Sequence, residues 1–409
     1  MSGKKKTDVS AKGFSTRAVH AGEWKEIPAG RPTSTPIYTT PTFTYDSMAE
    51  MDRVFGGEVQ GFVYTRHGNP TVAAVERAMA ALEEGTAAVA YGSGMAALHA
   101  ALLACELRPG AVVLASQDLY GATLDLLIRV FDIFGVQTVT ADFSDIDAVK
   151  KQAHAHKPRV LVAETISNPL LKICDLKACA DVAHESGARF LVDNTFASPY
   201  LCQPLSHGAD FAVHSLTKYL AGHASVTGGV VIVRDQPDQT ALIGVMKLVG
   251  GILGPFEAHE VLRGIKTLPL RMQRQCENAR KIAETLAKDK RVKKVYYPAL
   301  NEPREKLERM LRPPHGGALL SIVPANDSRE GAFHFMDALQ LCVRATSLGD
   351  VFTTALHPAT ASHREMPPSR RHKLGISDGL VRLSVGIEDV DDILTDLDRA
   401  LEAAAATHK

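Results

Sequence analysis

Short, continuously apolar runs recur through the middle of this chain, each followed by a helical stretch, and no other feature limits its fold so strongly. The runs cover residues 86–91, 111–115, 136–140, 160–163, 190–192 and 211–213, and the helical patterns between them include 96–105, 124–134 and Leu176–Glu185. A strand that is apolar at every residue has both faces buried, and a helix between two such strands is the connection that parallel pairing needs. The expectation is an α/β domain with a parallel-dominated sheet between layers of helices. Residues 228–233 add a further strand candidate.

The rhythm is bounded on both sides. Up to residue 60, Pro28, Pro32, Pro36 and Pro41 fragment any regular pattern, which predicts an extended, irregular arm. Near Pro255 the texture changes to one long amphipathic helix over 257–289. Strand-like segments at 317–323 and 381–385 and a closing helix over 389–405 follow. The predicted organisation is an arm over residues 1–70, a large α/β domain over 71–256, and a linking helix with a smaller α+β domain over 257–409.

Composition removes several function classes. Lys plus Arg and Asp plus Glu each total 46, so there is no surplus of positive charge to neutralise a nucleic acid. The run Lys4-Lys5-Lys6 reads as a solvated terminus. The 6 cysteines lack the paired spacing of a zinc site, and their mostly apolar contexts suit reduced thiols in the cytoplasm. No apolar run approaches the roughly 18–20 residues of a membrane span, and the N-terminus has no apolar signal core. No metal, nucleic-acid or membrane partner is expected.

In an open parallel sheet, ligands bind beyond the carboxyl ends of the strands. The polar residues found there are Gly92-Ser93-Gly94, then Gln117, Asp118 and Tyr120, the stretch from Glu164 to Asn168, Asp193-Asn194, and His214-Ser215 through Lys218. Five strand ends of this kind predict one site. Gly92-Ser93-Gly94-Met95 turns a strand into a helix, where free N–H groups and the helix dipole favour a phosphate. The same segment also fits the dinucleotide pattern Gly-x-Gly-x-x-Ala, with Asp118 near the expected acid. Asp193 suits a helix cap, an ion pair, or a partner for a protonated ring nitrogen. Lys218, just past a buried strand and among apolar neighbours, is expected to have the lowered pKa that Schiff-base chemistry needs. The hydroxyls of Ser215 and Thr217 could hold a phosphate beside it.

Taken in order, these motifs resemble the transsulfuration, or Cys/Met-metabolism, group of pyridoxal-phosphate enzymes: cystathionine γ-synthases and γ-lyases, methionine γ-lyases and homoserine-ester sulfhydrylases. The resemblance runs from Phe14-Ser15-Thr16-Arg17-Ala18-Val19-His20-Ala21-Gly22 to Arg382-Leu383-Ser384-Val385-Gly386. It implies the aminotransferase-like fold, called fold type I, and pyridoxal 5'-phosphate as cofactor. Lys218 would then carry the cofactor and shuttle protons, Asp193 would pair with the pyridinium nitrogen, and Tyr120 would stack on the ring. Gly94, Met95, Ser215 and Thr217 would bind the phosphate. Tyr64 and Arg66, in Tyr64-Thr65-Arg66-His67-Gly68-Asn69-Pro70, would reach the phosphate of a neighbouring subunit, which implies a dimer at least and a tetramer typically. Arg382, Ser347 and Asn168 would hold the carboxylate side of the substrate, Arg382 as a bidentate partner. Tyr64 or Tyr120 would give a proton to the leaving group.

Departures narrow the chemistry. Ala122 follows Leu119-Tyr120-Gly121 where methionine γ-lyases typically carry a cysteine. Phe352 stands where cystathionine enzymes usually have a glutamate that contacts a distal amino group. An apolar distal pocket therefore points to γ-elimination on methionine or a related γ-substituted amino acid. The alternatives are γ-replacement, as in a sulfhydrylase or cystathionine γ-synthase, and, from other classes, a nicotinamide-dependent oxidoreductase or a non-catalytic relative.

Overall fold

The apolar runs form a seven-stranded sheet, covered on both faces except along one edge strand. In the computed structural model, which describes residues 32–406, the strands are β1 (Ala87–Tyr91), β2 (Val112–Ser116), β3 (Gln137–Ala141), β4 (Val160–Glu164), β5 (Arg189–Asp193), β6 (Phe211–Ser215) and β7 (Gly229–Val233). Their order is β1-β7-β6-β5-β4-β2-β3. Alternate residues supply separate cores: Val89, Val113, Val162, Leu191 and Phe211 join one, while Ala90, Leu114, Leu161, Phe190 and Ala212 join the other. Successive side chains of a strand point to opposite faces, so burial on both sides is what makes these runs apolar throughout.

The sheet is mixed rather than wholly parallel. β2 to β6 run parallel, but β7 pairs antiparallel with both β6 and β1. Residues 216–228, between β6 and β7, contain no helix. The chain lacks the element that carries a parallel crossover and so returns alongside the strand it left.

A second sheet follows, of five strands: β8 (Val292–Tyr296), β9 (Leu319–Pro324), β10 (Val343–Arg344), β11 (Thr354–Leu356) and β12 (Val381–Ser384), in the order β10-β11-β12-β9-β8. Leu320, Ile322, Val381 and Leu383 pack against Ile282, Leu286, Phe335, Ile393 and Leu397 in a core of their own. The single long helix expected over 257–289 is two helices, Pro255–Ile265 and Leu268–Leu286. Pro269 lies in the first turn of the second, where its missing N–H costs nothing, whereas an uninterrupted helix through it would lose a backbone hydrogen bond.

Residues 32–36 belong to a first unit, Met1–Pro36, and have no regular element; every helix and strand described here lies in the unit Ile37–Lys409. The Lys4-Lys5-Lys6 run and the motif from Phe14 to Gly22 lie outside the described residues. Among the described residues of the irregular arm expected up to residue 60 there is a helix, Met48–Phe55, whose start is capped by Ser47 accepting from the Glu50 N–H at 3.2 Å. Among the described residues, no helix is long and apolar enough to cross a membrane, and no cluster of His, Cys, Asp and Glu is arranged to hold a metal ion.

Candidate active site

The carboxyl ends of β4, β5 and β6 and the start of helix Gly94–Ala104 meet the loops of the second sheet around a cavity of about 440 Å³. Ser93 caps the helix, its Oγ accepting from the Ala96 N–H at 3.0 Å. A Cβ on Gly94 would lie 3.0 Å from the Ser215 Cβ and 3.2 Å from its Oγ, so glycine is what lets the end of β6 approach the helix start. The Ser215 N–H donates to Thr195 Oγ1 at 2.9 Å, and Thr217 Oγ1 accepts from the Gly228 N–H at 3.0 Å. Two hydroxyls thus border the positive end of a helix dipole, an arrangement able to hold a phosphate.

Lys218 sits in the turn after β6, and its Nζ donates to Ser347 Oγ at 2.5 Å. Burial and the nearby Arg382 guanidinium lower its pKa to about 8, against the pull of Asp193. An amine in that range is largely protonated at neutral pH but readily gives up its proton, as a nucleophile toward an aldehyde must. Asp193 ends β5. Its Oδ1 accepts from the Thr195 N–H at 2.9 Å, and burial raises its carboxyl above the ordinary range while Thr195, His214 and Lys218 act in the opposite sense.

The second sheet supplies the opposite wall. Arg382 of β12 is buried; its Nη1 donates to Asn168 Oδ1 and its Nη2 to the Ser347 carbonyl, both at 2.9 Å, while its Nε has no partner. Burial lowers its pKa to about 10, which leaves it a cation at neutral pH. Ser347 holds φ at 80°, a left-handed conformation that few side chains adopt. Gly349 is also left-handed, and a Cβ there would lie 2.6 Å from the Tyr219 nitrogen. That position needs glycine to let this loop press against the turn that carries Lys218.

Most residues expected from the sequence line this one cavity: Gly94, Met95, Tyr120, Asn168, Asp193, Ser215, Thr217, Lys218, Ser347 and Arg382. Three do not. Tyr64 and Arg66 lie away from it, the Arg66 guanidinium stacked 5.4 Å from the Tyr64 ring centre and bonded to the Lys247 carbonyl. Phe352 lines an adjoining cavity of about 540 Å³ that shares Thr217, Ser347 and Leu348 with the first. The cavity also includes residues that the sequence reading left without a role, among them Glu164, Thr195 and Ser362. Glu164 was visible as the polar end of an apolar run; Thr195 and Ser362 carried no comparable signal.

The model of one protein family, described as Cys/Met metabolism PLP-dependent enzyme, matches residues 15–402. The chain belongs to this family. Its relatives include an L-methionine γ-lyase of Fusobacterium nucleatum subsp. polymorphum, 42% identical over 95% of this chain and 98% of that one. A cystathionine γ-synthase of Mycobacterium bovis is 41% identical over 95% of this chain and 97% of its own. Among solved structures, cystathionine γ-synthase from Xanthomonas oryzae pv. oryzae in complex with aminoacrylate and cysteine superposes with a TM-score of 0.85 at 36% identity, covering 91% of this chain and 94% of that one.

The protein is therefore an enzyme of the fold type I, pyridoxal-phosphate-dependent class, and the residues present fit that cofactor. A glycine-lined helix start and two hydroxyls match a phosphate, a buried acid matches a basic ring nitrogen, and a lysine with a depressed pKa matches an aldehyde. The nicotinamide reading of Gly92–Ala97 is overturned by the family. The turn it rested on approaches a phosphate in the same way in both classes, so the glycines alone could not separate them.

Proposed function

We propose that this enzyme catalyses γ-elimination on methionine or a closely related γ-substituted amino acid, releasing 2-oxobutanoate, ammonia and the γ-substituent. The observation that carries the reading is the apolar character of the space away from the sheet end. Leu348, Leu356 and Ala361 line the cavity there, and Phe352 lines the space beside it, together with Glu257 and Asp350. The acids lining the main cavity, Glu164 and Asp193, both stand at the sheet end. A thioether side chain loses nothing by entering the Leu348, Leu356 and Ala361 wall, whereas a distal ammonium group would find no acid there and would have to reach Glu257 or Asp350 in the adjoining space.

In this scheme Arg382, Asn168 and the Ser347 backbone orient the substrate carboxylate, and the unpartnered Arg382 Nε supplies a further donor. Gly94, Met95, Ser215 and Thr217 hold the cofactor phosphate, Asp193 keeps the ring nitrogen protonated, and Tyr120 covers one face of the ring. When bound, pyridoxal phosphate acts as the electron sink for carbanion formation at Cα. Lys218 takes the proton from Cα and returns it during turnover, and Tyr120 or Tyr64 protonates the departing group.

Tyr64 and Arg66 reach the site from a neighbouring subunit, so the active unit is a dimer and the assembly a tetramer of two such dimers. Their position outside this chain's own cavity supports that reading. The division into an arm over 1–70, a cofactor domain over 71–256 and a smaller domain over 257–409 follows from the same scheme. A cytoplasmic location is supported by six cysteines that are all unpaired and buried.

The test is 2-oxobutanoate release from methionine, cystathionine and an O-acyl homoserine, with and without sulfide. Release from methionine in the absence of sulfide supports the proposal. Release from the ester alone, diverted to homocysteine by sulfide, would establish the second reading, γ-replacement, which the comparable likeness to a cystathionine γ-synthase favours.

A further inference from the structure

Glu164 is the one acid in the cavity wall that the scheme above leaves unused. It ends β4 directly beside Asp193 at the end of β5, in parallel register, and neighbouring strands lie only about 4.8 Å apart. It is more than nine-tenths buried. Its Oε1 accepts from the Tyr120 N–H at 2.6 Å, while its Oε2 has no hydrogen-bond partner.

The surrounding charges are already committed. Lys172 bridges Asp118 at 2.9 Å and Asp142 at 3.6 Å, Lys218 is bonded to Ser347, and Arg382 is bonded to Asn168 and Ser347. No cation forms an ion pair with Glu164 among the described residues, and Asp193 and Asp118 both act on it as like charges. Arg382 feels its charge only as a minor influence.

Two carboxyls set abreast in a buried wall cannot both ionise cheaply, and the proton goes to the one with less support. Asp193 has the Thr195 N–H together with the charges of His214 and Lys218 in its favour. Glu164 has burial and two acids against it and only the backbone N–H groups of Tyr120 and Asn168 in its favour, and the balance holds its carboxyl well above the usual range.

We propose that Glu164 is a positioning residue that works as a neutral carboxylic acid. It anchors the Tyr120 backbone through one oxygen and, by staying uncharged, leaves Asp193 as the single anion facing the ring nitrogen of the cofactor. The proposal needs only that the enzyme binds pyridoxal phosphate, so it stands or falls separately from the choice between elimination and replacement.

Glutamine is the neutral isostere of this state and keeps the carbonyl that accepts from Tyr120. In the holoenzyme, Glu164→Gln should therefore leave the pH midpoint of the cofactor's visible absorption in place and retain the cofactor. Glu164→Ala, which orphans the Tyr120 N–H, should weaken cofactor retention by about tenfold. If Glu164 were a carboxylate, Glu164→Gln would remove a negative charge near the cationic lysine-bound cofactor and lower that midpoint by about one pH unit or more. That shift would overturn the proposal. A second measurement needs no variant to fold: infrared spectra of glutamate-labelled wild-type holoenzyme near neutral pH should contain a band of a buried protonated carboxyl. Absence of that band would also overturn it, and its loss in Glu164→Gln would assign it to Glu164.

Discussion

Replacing Arg382 with lysine tests the proposal that Arg382 holds the α-carboxylate of the substrate. The guanidinium is fixed by two hydrogen bonds of 2.9 Å, one to Asn168 and one to the Ser347 carbonyl, and its Nε is left without a partner inside a buried pocket. Lysine keeps the charge but presents a single point in place of a planar fork, so it cannot hold Asn168, Ser347 and a carboxylate in one plane. A hydrogen bond to a charged group is worth about 1.5–3 kcal/mol, and the exchange forfeits at least one. At 1.4 kcal/mol for each factor of ten, kcat/KM should fall roughly 10- to 150-fold. The carboxylate is held alike in the bound substrate and in the transition state, so the loss should fall mainly on KM, with kcat changed little. Steady-state 2-oxobutanoate release from whichever amino acid the parent enzyme turns over measures both. Visible absorption of the bound cofactor serves as the control for an intact site. A variant whose kcat/KM stays within about threefold of the parent would refute the assignment of Arg382 to the carboxylate.

Other outcomes are equally specific. Lys218→Ala should abolish borohydride-fixable cofactor, and fixation at another lysine would show that Lys218 is not the attachment point. Because the Lys218 pKa is lowered to about 8 from 10.5, its neutral amine becomes abundant as pH rises through about 8. The rate of covalent cofactor capture by the apoenzyme should rise with that midpoint, and a midpoint near 10 would contradict the placement of Arg382 and the burial that depress it. Arg66→Ala should lower cofactor affinity in the intact oligomer through the neighbouring subunit's phosphate site, and unchanged affinity would reject that role. Gly349→Ala, which sets a Cβ 2.6 Å from a backbone nitrogen at a left-handed φ, should destabilise the protein by about 2–4 kcal/mol in chemical denaturation.

Double-sided burial made the large sheet legible. Every residue of β1, β4 and β7 is buried, so the strands stood out as unbroken apolar runs, and the polar residues that end them mark the site by contrast. Lys218, Asp193, Ser215 and Gly94 were found in this way. Direction was not legible: β7 is as apolar as the parallel strands β4 and β6, and nothing in its composition distinguishes an antiparallel return. The break at Lys266-Thr267 was hidden because the amphipathic pattern continues across it, while the helix Ile146–His156 buries only Val149 and Ala153 and so presents too narrow a stripe to announce itself. Tyr64, Arg66, Phe352, Ser347 and Arg382 are reached through the family resemblance alone; the first three lie outside the main cavity, while Ser347 and Arg382 line it.

The two sheets are not independent carriers of the site. Lys218, from the large sheet, bonds to Ser347 of the second, and Arg382, from the second, bonds back to Asn168 at the end of β4. Ser384 of β12 accepts from the Gly349 N–H at 2.9 Å, fixing the loop that presses on the Lys218 turn. Each sheet thus holds a group of the other, and the strained Ser347 stands where both links cross, its hydroxyl on Lys218 and its carbonyl on Arg382. A backbone held at φ 80° persists only while its surroundings over-determine it. The hydrogen bonds on either side of Ser347 are that constraint, so the geometry that sets Arg382 and the geometry that sets Lys218 are one arrangement. Substitutions at Arg382 and at Lys218 should therefore show coupled, non-additive effects on the stability of the apoenzyme, in which no substrate or cofactor can mediate the coupling.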